Sequence, residues 1–220
     1  MAGEIQVNSV TALTESGSNI ILNNVDTATN RTNLGLGSMA TQAANSVSIT
    51  GGTIGSSVVF PEHHIIQVLQ TVKTDTFSDS VTATFEAVTG LSQAITLSNA
   101  SNKVLVMVQL SAVNESSGGG GVASIFRGAT NILVADTGLS NQLEGGVAFE
   151  QYNADADMPP VTMFMQKLDV PGSVGPHTYA VYVAGDATGN TIYVNRSESD
   201  SNNTYIQRTT SSITLMEIQG

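Results

Sequence analysis

The chain has 220 residues, with 18 acidic against 7 basic side chains and a formal net charge of −11 at pH 7. Seven basic residues scattered singly cannot neutralise a phosphate track, which argues against a nucleic-acid partner. Ser, Thr and Asn supply 66 of the residues, which is typical of strands and turns, and the absence of cysteine excludes disulfides and thiolate metal sites.

Residues 1–60 contain short apolar runs separated by Asn, Ser, Thr and Gly, which predicts short strands. These runs carry too little apolar surface to close a core, so the region needs other subunits or another protein. Only residues 32–44 could make a helical turn, and we expect it to begin after Gly37 with Ser38 as its N-cap. We therefore predict an extended β arm or shaft with one short helical turn.

Residues 65–220 are dense in strand signals separated by turn clusters such as Pro159-Pro160 and Pro171-Gly172. About ten short strands with no amphipathic helix predict an all-β domain, specifically a jelly-roll-like sandwich. The predicted strands are 65–74, 81–88, 94–98, 103–113, 121–127, 131–136, 147–152, 161–168, 177–184, 191–195 and 211–218.

The strand over residues 103–113 is apolar at every second position and mixed on its other face, where Leu105 and Met107 lie. A two-layer monomer would bury the first face and leave the second in water. Either a neighbouring subunit or a loop of the same chain would have to cover the second face. Together with the thin first region, this pattern favours an oligomer.

The first ten residues have no apolar core of signal-peptide length, and no stretch approaches the roughly 18 apolar residues of a membrane span. We therefore expect synthesis in a cytoplasm without Sec-type export, and no membrane insertion.

Two stretches resemble parts of known proteins. Residues 33–54 (NLGLGSMATQAANSVSITGGTI) are similar to the linker or shaft element of tailed-phage fibre proteins. Residues 179–218, which end in TSSITLMEI, resemble the distal β-domain of fibre and tail proteins from marine phages, and residues 4–10 resemble the virion-facing start of such proteins. The chain thus resembles the trimeric receptor-binding tail fibres of tailed bacteriophages.

The resemblance implies a virion protein, on the tail in preference to the capsid, that forms a homotrimer. Residues 1–30 would contact other tail or adaptor proteins, and residues 65–220 would bind a glycan or protein of the host surface. The alternative is a capsid decoration or vertex fibre protein with the same fold. A secreted bacterial adhesin is a third possibility, which the missing signal sequence disfavours.

Three polar loops between strong strands are the candidate receptor-binding surface, because functional residues gather on loops of a rigid β scaffold. They are residues 114–121, 153–158 and 196–205. The side chains proposed to contact the receptor are Asn114, Glu115, Asp155, Asp157, Arg196, Glu198, Asp200 and Tyr205.

The sequence predicts neither a cofactor nor an enzyme. His63 and His64 are weak metal candidates, because adjacent residues of a strand point to opposite sides and only one could reach a threefold axis. The acidic spacings at 155–157 and 198–202 lack the glycine and closing glutamate of a calcium loop and are interpreted as solvated loops. No nucleophile-elbow or zinc-protease motif occurs.

Overall fold

The computed structural model describes residues 60–115, 119–136, 142–150, 155–185 and 190–220, residues 52 and 58, and three strands between residues 4 and 22. All regular structure in these residues is β-strand, which confirms the all-β class. In the same residues no helix is long and apolar enough to cross a membrane. The predicted helical turn within residues 32–44 lies outside the described part of the chain.

The chain divides into two compact units, Met1–Val59 and Phe60–Gly220. In the first unit, β1 (Glu4–Val7), β2 (Val10–Ser16) and β3 (Asn19–Leu22) pair in that order as an antiparallel sheet. The extended arm, the jelly-roll topology and the trimer stay predictions.

The second unit consists of two antiparallel sheets. Its strands are β4 (Ile65–Lys73), β5 (Phe77–Val81), β6 (Glu86–Leu97), β7 (Lys103–Asn114), β8 (Gly120–Arg127), β9 (Thr130–Asn131), β10 (Val147–Glu150), β11 (Val161–Asp169), β12 (Gly175–Gly185), β13 (Asn190–Val194) and β14 (Ser211–Ile218). The five-stranded sheet has the order β10-β8-β12-β6, with β9 also paired to β8.

The six-stranded sheet is built around β7, the central strand of the order β4-β14-β7-β13-β5. β14 pairs with residues 103–109 of β7 and β13 with residues 112–114, while β11 pairs with residues 104–112. β13 and β14 therefore lie one after the other along the same edge of β7. On the far side of these two strands, β5 pairs with β13 and β4 pairs with β14.

One hydrophobic core contains side chains from both sheets. Val104, Val106, Val108 and Leu110 of β7 are buried in it, as the alternation of residues 103–113 predicted. Ile213 and Leu215 of β14 are buried in the same cluster. Since apolar burial is worth about 25 cal/mol per Å², this core is the main source of stability.

The predicted bounds of the strands at 81–88 and 94–98 were wrong. β5 ends at Val81, a turn follows in which the Thr82 hydroxyl accepts the Thr84 N–H, and β6 then runs unbroken from Glu86 to Leu97. Gly90 has a φ of +81° inside β6, and the pairing with β12 shifts register between Ala180 and Tyr182. Gly90 thus lies where the pairing between β6 and β12 is irregular, a position at which glycine is common. It does not end the strand.

The predicted strand over residues 131–136 was also wrong, because only Thr130 and Asn131 pair as β9. The Asn131 side-chain oxygen accepts hydrogen bonds from the Leu133 N–H and from the Ser124 hydroxyl, and that hydroxyl also lies 2.7 Å from the Leu133 carbonyl. These local bonds turn the chain away from the ladder, as asparagine side chains commonly do.

Two buried carboxylates tie the strands together near the start of β7. Glu217 of β14 is 0% exposed and accepts hydrogen bonds from the amides of Gln67 and Asn102 and from the N–H and hydroxyl of Ser98. Burial raises the pKa of Glu217, but these hydrogen bonds outweigh it and hold the pKa below its ordinary value.

The second carboxylate, Asp169 of β11, joins the two sheets. Its Oδ2 accepts the hydroxyl of Tyr179 at 2.7 Å and pairs with the guanidinium of Arg127 at 2.6 Å. Burial raises the pKa of Tyr179 well above its usual range, and the bond to Asp169 adds to this effect. Tyr179 therefore stays a neutral donor.

We predict that Glu217→Gln lowers the free energy of unfolding by about 1–3 kcal/mol, because the amide nitrogen would face donors instead of accepting from them. A carboxyl whose pKa is lowered by folding stabilises the protein above its unfolded pKa and loses this effect as the pH falls. Wild-type stability should therefore drop as the pH falls below the ordinary value of 4.5, and the variant should lose part of that slope.

Urea unfolding between neutral pH and pH 3 measures both effects, with the exposed Glu86→Gln as the control. Equal stability and slope in Glu217→Gln and wild type would contradict the assigned role of Glu217.

Candidate functional site

The three predicted loops begin or end at the same end of the six-stranded sheet. Val161 pairs with Ala112, and Ile192 pairs with Asn114, the last residue of β7. We call this the loop end. The opposite end, where Ile65 and Lys103 both pair with Ile218, is called the base.

The loop end is organised by Asn195, which is buried and adopts a left-handed φ of +62°. Its amide nitrogen donates to the carbonyls of Lys73 and Asp75, between β4 and β5. Its side-chain oxygen accepts the hydroxyl of Ser211, and its backbone N–H donates to the carbonyl of Ser111. Because Asn195 follows β13 and Ser211 begins β14, the two ends of the intervening segment are held together.

Residues 196–210 therefore form a closed loop that leaves the sheet between β13 and β14 and returns to it. The Thr209 N–H donates to the carbonyl of Asn195, and the Thr209 hydroxyl donates to the hydroxyl of Ser111. Compact loops with closely spaced ends and their own internal contacts are frequently functional.

A second loop, residues 155–160, is joined to this one by Ser199. The Ser199 N–H donates to the carbonyl of Ala156 at 2.9 Å, and its hydroxyl donates to the carboxylate of Asp157 at 2.5 Å. The Asp155 carboxylate accepts the Asp157 N–H at 3.0 Å, which turns the chain. The acidic spacings thus belong to two surface loops that hydrogen-bond to each other, a contact that the interpretation of both as solvated loops did not include.

Asp200 is the electrostatic centre of the closed loop. Arg208 donates to its two carboxylate oxygens at 2.9 and 2.7 Å, and Arg196 lies 3.8 Å away. The hydrogen bond from Arg208 holds the pKa of Asp200 below its ordinary value against the effect of burial, and Arg196 adds to this. The bidentate geometry fixes the plane of the guanidinium as well as its position.

The remaining predicted loop is linked to the closed loop through β13. The Glu115 carboxylate accepts the Thr191 N–H at 2.8 Å, and the Arg196 guanidinium lies 4.9 Å from the centre of the Tyr193 ring. Burial raises the pKa of Tyr193, and the nearby charge of Glu198 raises it further. Glu115, Arg196 and Glu198 are thereby brought around one aromatic ring.

Among the described residues of the loop end, the segment from Asp200 to Arg208 surrounds an opening to solvent. A cavity of 350 Å³ is lined by Asp200, Ser201, Asn202, Asn203, Ile206 and Arg208. The side chain of Tyr205 is 56% exposed within the same segment. Hydroxyl, amide, carboxylate and guanidinium groups therefore surround a small opening beside an exposed phenol ring.

The predicted site residues differ in what they can reach. Asn114 is fully buried, and its amide donates to the Gly119 carbonyl at 2.6 Å, so it closes its own loop. Glu115, Arg196 and Glu198 are half-buried, whereas Asp155 and Tyr205 are exposed. The structure brings all of them to the loop end.

Sequence reasoning missed Asn195 and Arg208, which position this surface. Asn195 stands in a predicted strand, where nothing in the local pattern marks it as buried. Arg208 lies just outside the predicted loop 196–205, and a pairing across eight residues of irregular chain has no spacing rule. The only signal was that two of the seven basic residues flank one acidic run.

His63 and His64 lie just before β4, at the base, outside the strand predicted from residue 65. His63 has a φ of +64°, and the ring of His64 contacts the Phe60 ring and bonds to the Pro61 carbonyl at 2.9 Å. Among the described residues there is no group of three side chains that could hold a metal ion.

A larger cavity of 660 Å³ lies along β8 and β10. Its described lining residues include the carboxylates of Asp136, Glu144 and Glu150 and no basic side chain. The donor groups that recognise a polar ligand are therefore better represented in the closed loop.

No protein-family model matches the chain, and the curated proteins contain no sequence that matches it.

We predict that Asp200→Asn increases amide hydrogen exchange in residues 196–209 and leaves the strands unchanged. The substitution removes the charge that Arg208 and Arg196 share, while the Asn195 contacts remain. Because the pKa of Asp200 is lowered, the wild-type loop should show the same loss of protection as the pH falls through that pKa. Hydrogen exchange with mass spectrometry measures both.

The control is Asp79→Asn, on the exposed side of β5. If the loop in Asp200→Asn exchanges as slowly as in the control, the ion pair does not order it.

Proposed function

We propose that this chain is a virion fibre protein of a tailed phage that binds the host surface through its loop end. The observation that carries the proposal is the placement of the loops at the end of the second unit opposite the base, where that unit begins. The assignment to a virion comes from the resemblance of residues 33–54 and 179–218 to fibre proteins.

The position of the two termini of the second unit supports a role of the loops in binding. Phe60 precedes β4, and the Gln219 N–H donates to the carbonyl of His64, so both termini of the unit lie at the base. Whatever is attached through the chain before Phe60 is joined at the base. The loop end therefore lies at the opposite end of the second unit from Phe60.

The chemistry of the loop end suits a hydroxyl-rich glycan. The exposed ring of Tyr205 offers a face on which a sugar ring can stack, and Arg208 offers guanidinium donors around an opening with asparagine and serine side chains. Each such contact is weak. Several copies of the chain on one particle would convert weak contacts into stable attachment through avidity.

The proposed protein is a homotrimer whose residues 1–30 attach it to other tail or adaptor proteins. Both features follow from the resemblance to fibre proteins.

We predict that Tyr205→Ala reduces binding of purified protein to host cells by at least about 30-fold, the loss expected for removal of an aromatic hot spot worth about 2 kcal/mol. Arg208→Ala should reduce binding to a similar extent. Binding of fluorescently labelled protein to cells, titrated over concentration, measures the effect.

The matched control is Val174→Ala, which changes an exposed side chain near the base. Replacement of residues 114–121, 153–158 and 196–205 by short Gly-Ser turns tests the whole surface. If the point variants and the three loop variants stay folded and bind like wild type, the loop end is not the receptor site.

We further predict that deletion of residues 1–30 abolishes incorporation into particles while the second unit still folds, since it has its own core. Electron microscopy of particles labelled through a C-terminal tag locates the protein. Label on the tail supports the fibre, label on the head supports a capsid decoration or vertex fibre protein, and normal incorporation of the deletion variant contradicts attachment through residues 1–30.

A further inference from the structure

One face of the six-stranded sheet points away from the core and is largely apolar. We define the outer face as the three rows that cross β4, β14, β7 and β11 through Leu105, Met107 and Gln109 of β7. The row through Leu105 is apolar on all four strands. Its other members are Val68, Met216 and Leu168.

The apolar side chains of the outer face are open to water in a single copy. Phe164 is 72% exposed and Val68 is 53% exposed, and Val72, Met107 and Leu168 are exposed as well. An antiparallel sheet with one face in water normally alternates apolar and polar residues. A contiguous apolar patch of this kind marks an interaction surface.

The closed loop covers only the continuation of this face towards the loop end. Ser111 and Val113 follow Gln109 on the same side of β7, and both are buried. The Thr209 hydroxyl donates to that of Ser111, which places the loop against this position. The chain thus covers part of one sheet face with its own loop and leaves the three rows of the outer face exposed.

The outer face carries no charge, although the chain has a net charge of −11. Its non-apolar positions are Ser, Thr and Gln, including Gln70 and Gln166. Two copies of so acidic a chain repel each other over most of their surfaces. The outer face is a surface on which copies can meet without burying like charges.

The polar groups of the outer face are also self-complementary. A glutamine amide donates and accepts hydrogen bonds, so it can pair with the same residue of another copy. A partner that recognised this chain by charge would have to bind elsewhere, because the face offers neither a cation nor an anion. We propose that the outer face packs against the outer faces of other copies of this chain.

This proposal names the contact surface of the oligomer in the proposed function. Its test measures mass, not host binding, so either proposal can fail without the other. Light scattering of the full chain at micromolar concentration should give a multiple of 22.8 kDa, three times that mass for a trimer. A wild-type monomer would overturn the proposal.

Gln166→Arg should reduce the mass to that of a monomer, because it puts a cation into each copy of the interface at a position already exposed and polar. The matched control, Gln207→Arg, adds the same charge at an exposed position of the closed loop. Both substitutions lower the net negative charge of the chain by the same amount. If only the Gln166→Arg oligomer dissociates, the cause is the new cation at the outer face and not the change in overall charge.

Phe164→Glu is the second variant, and Val134→Glu, an exposed position outside the outer face, is its control. Circular dichroism checks that each protein is folded. If Gln166→Arg does not fold, the mass of Phe164→Glu tests the proposal. Dissociation of a folded face variant with an intact control supports the proposal. Wild-type mass in both face variants overturns it and assigns association to another part of the chain.

Discussion

The loop end depends on the hydrogen bonds of one buried asparagine. Asn195 uses its backbone N–H and C=O, its side-chain oxygen and its amide nitrogen, so no polar group is left unpaired where a lost bond would cost about 1–3 kcal/mol. These bonds connect the break between β4 and β5, the start of β14 and the central strand β7. Because they hold both ends of residues 196–210, the loop can leave the sheet without disturbing the pairing on either side.

The base is held by a different chemistry, that of carboxylates inside the structure. Glu217 accepts four hydrogen bonds without a cation, whereas Asp169 pairs with Arg127 and Tyr179 across the two sheets. Removing one partner of such a buried group is far more costly than losing a surface contact. The apolar core thus lies between two polar ends, each specified by side chains that fit only one arrangement of the strands.

The sequence was sufficient to predict the all-β class and most strands, because alternation in β7 and β14 reports directly which side chains meet the core. It failed where local chemistry overrides the pattern: Gly90 occupies an irregular position in β6 without ending it, and Asn131 turns a chain that looks like a strand. The loops were predicted from polarity, but their joining by Ser199 and Asp157 is a contact across 42 residues. No local pattern encodes such a contact, or the burial of Asn195.

The charges of the closed loop contribute to its shape and little to the stability of the fold. The pair of Asp200 and Arg208 is at the surface, where an ion pair contributes only about 0–1 kcal/mol to folding. Its effect is therefore on shape, since it fixes the guanidinium and the neighbouring residues 201–206 in one arrangement. Fold stability resides in Asn195, Glu217 and the core, so the loop can change its sequence at little cost to the domain. A scaffold with this separation can vary the sequence of its loop end while its uncharged outer face and its strand pairing stay the same.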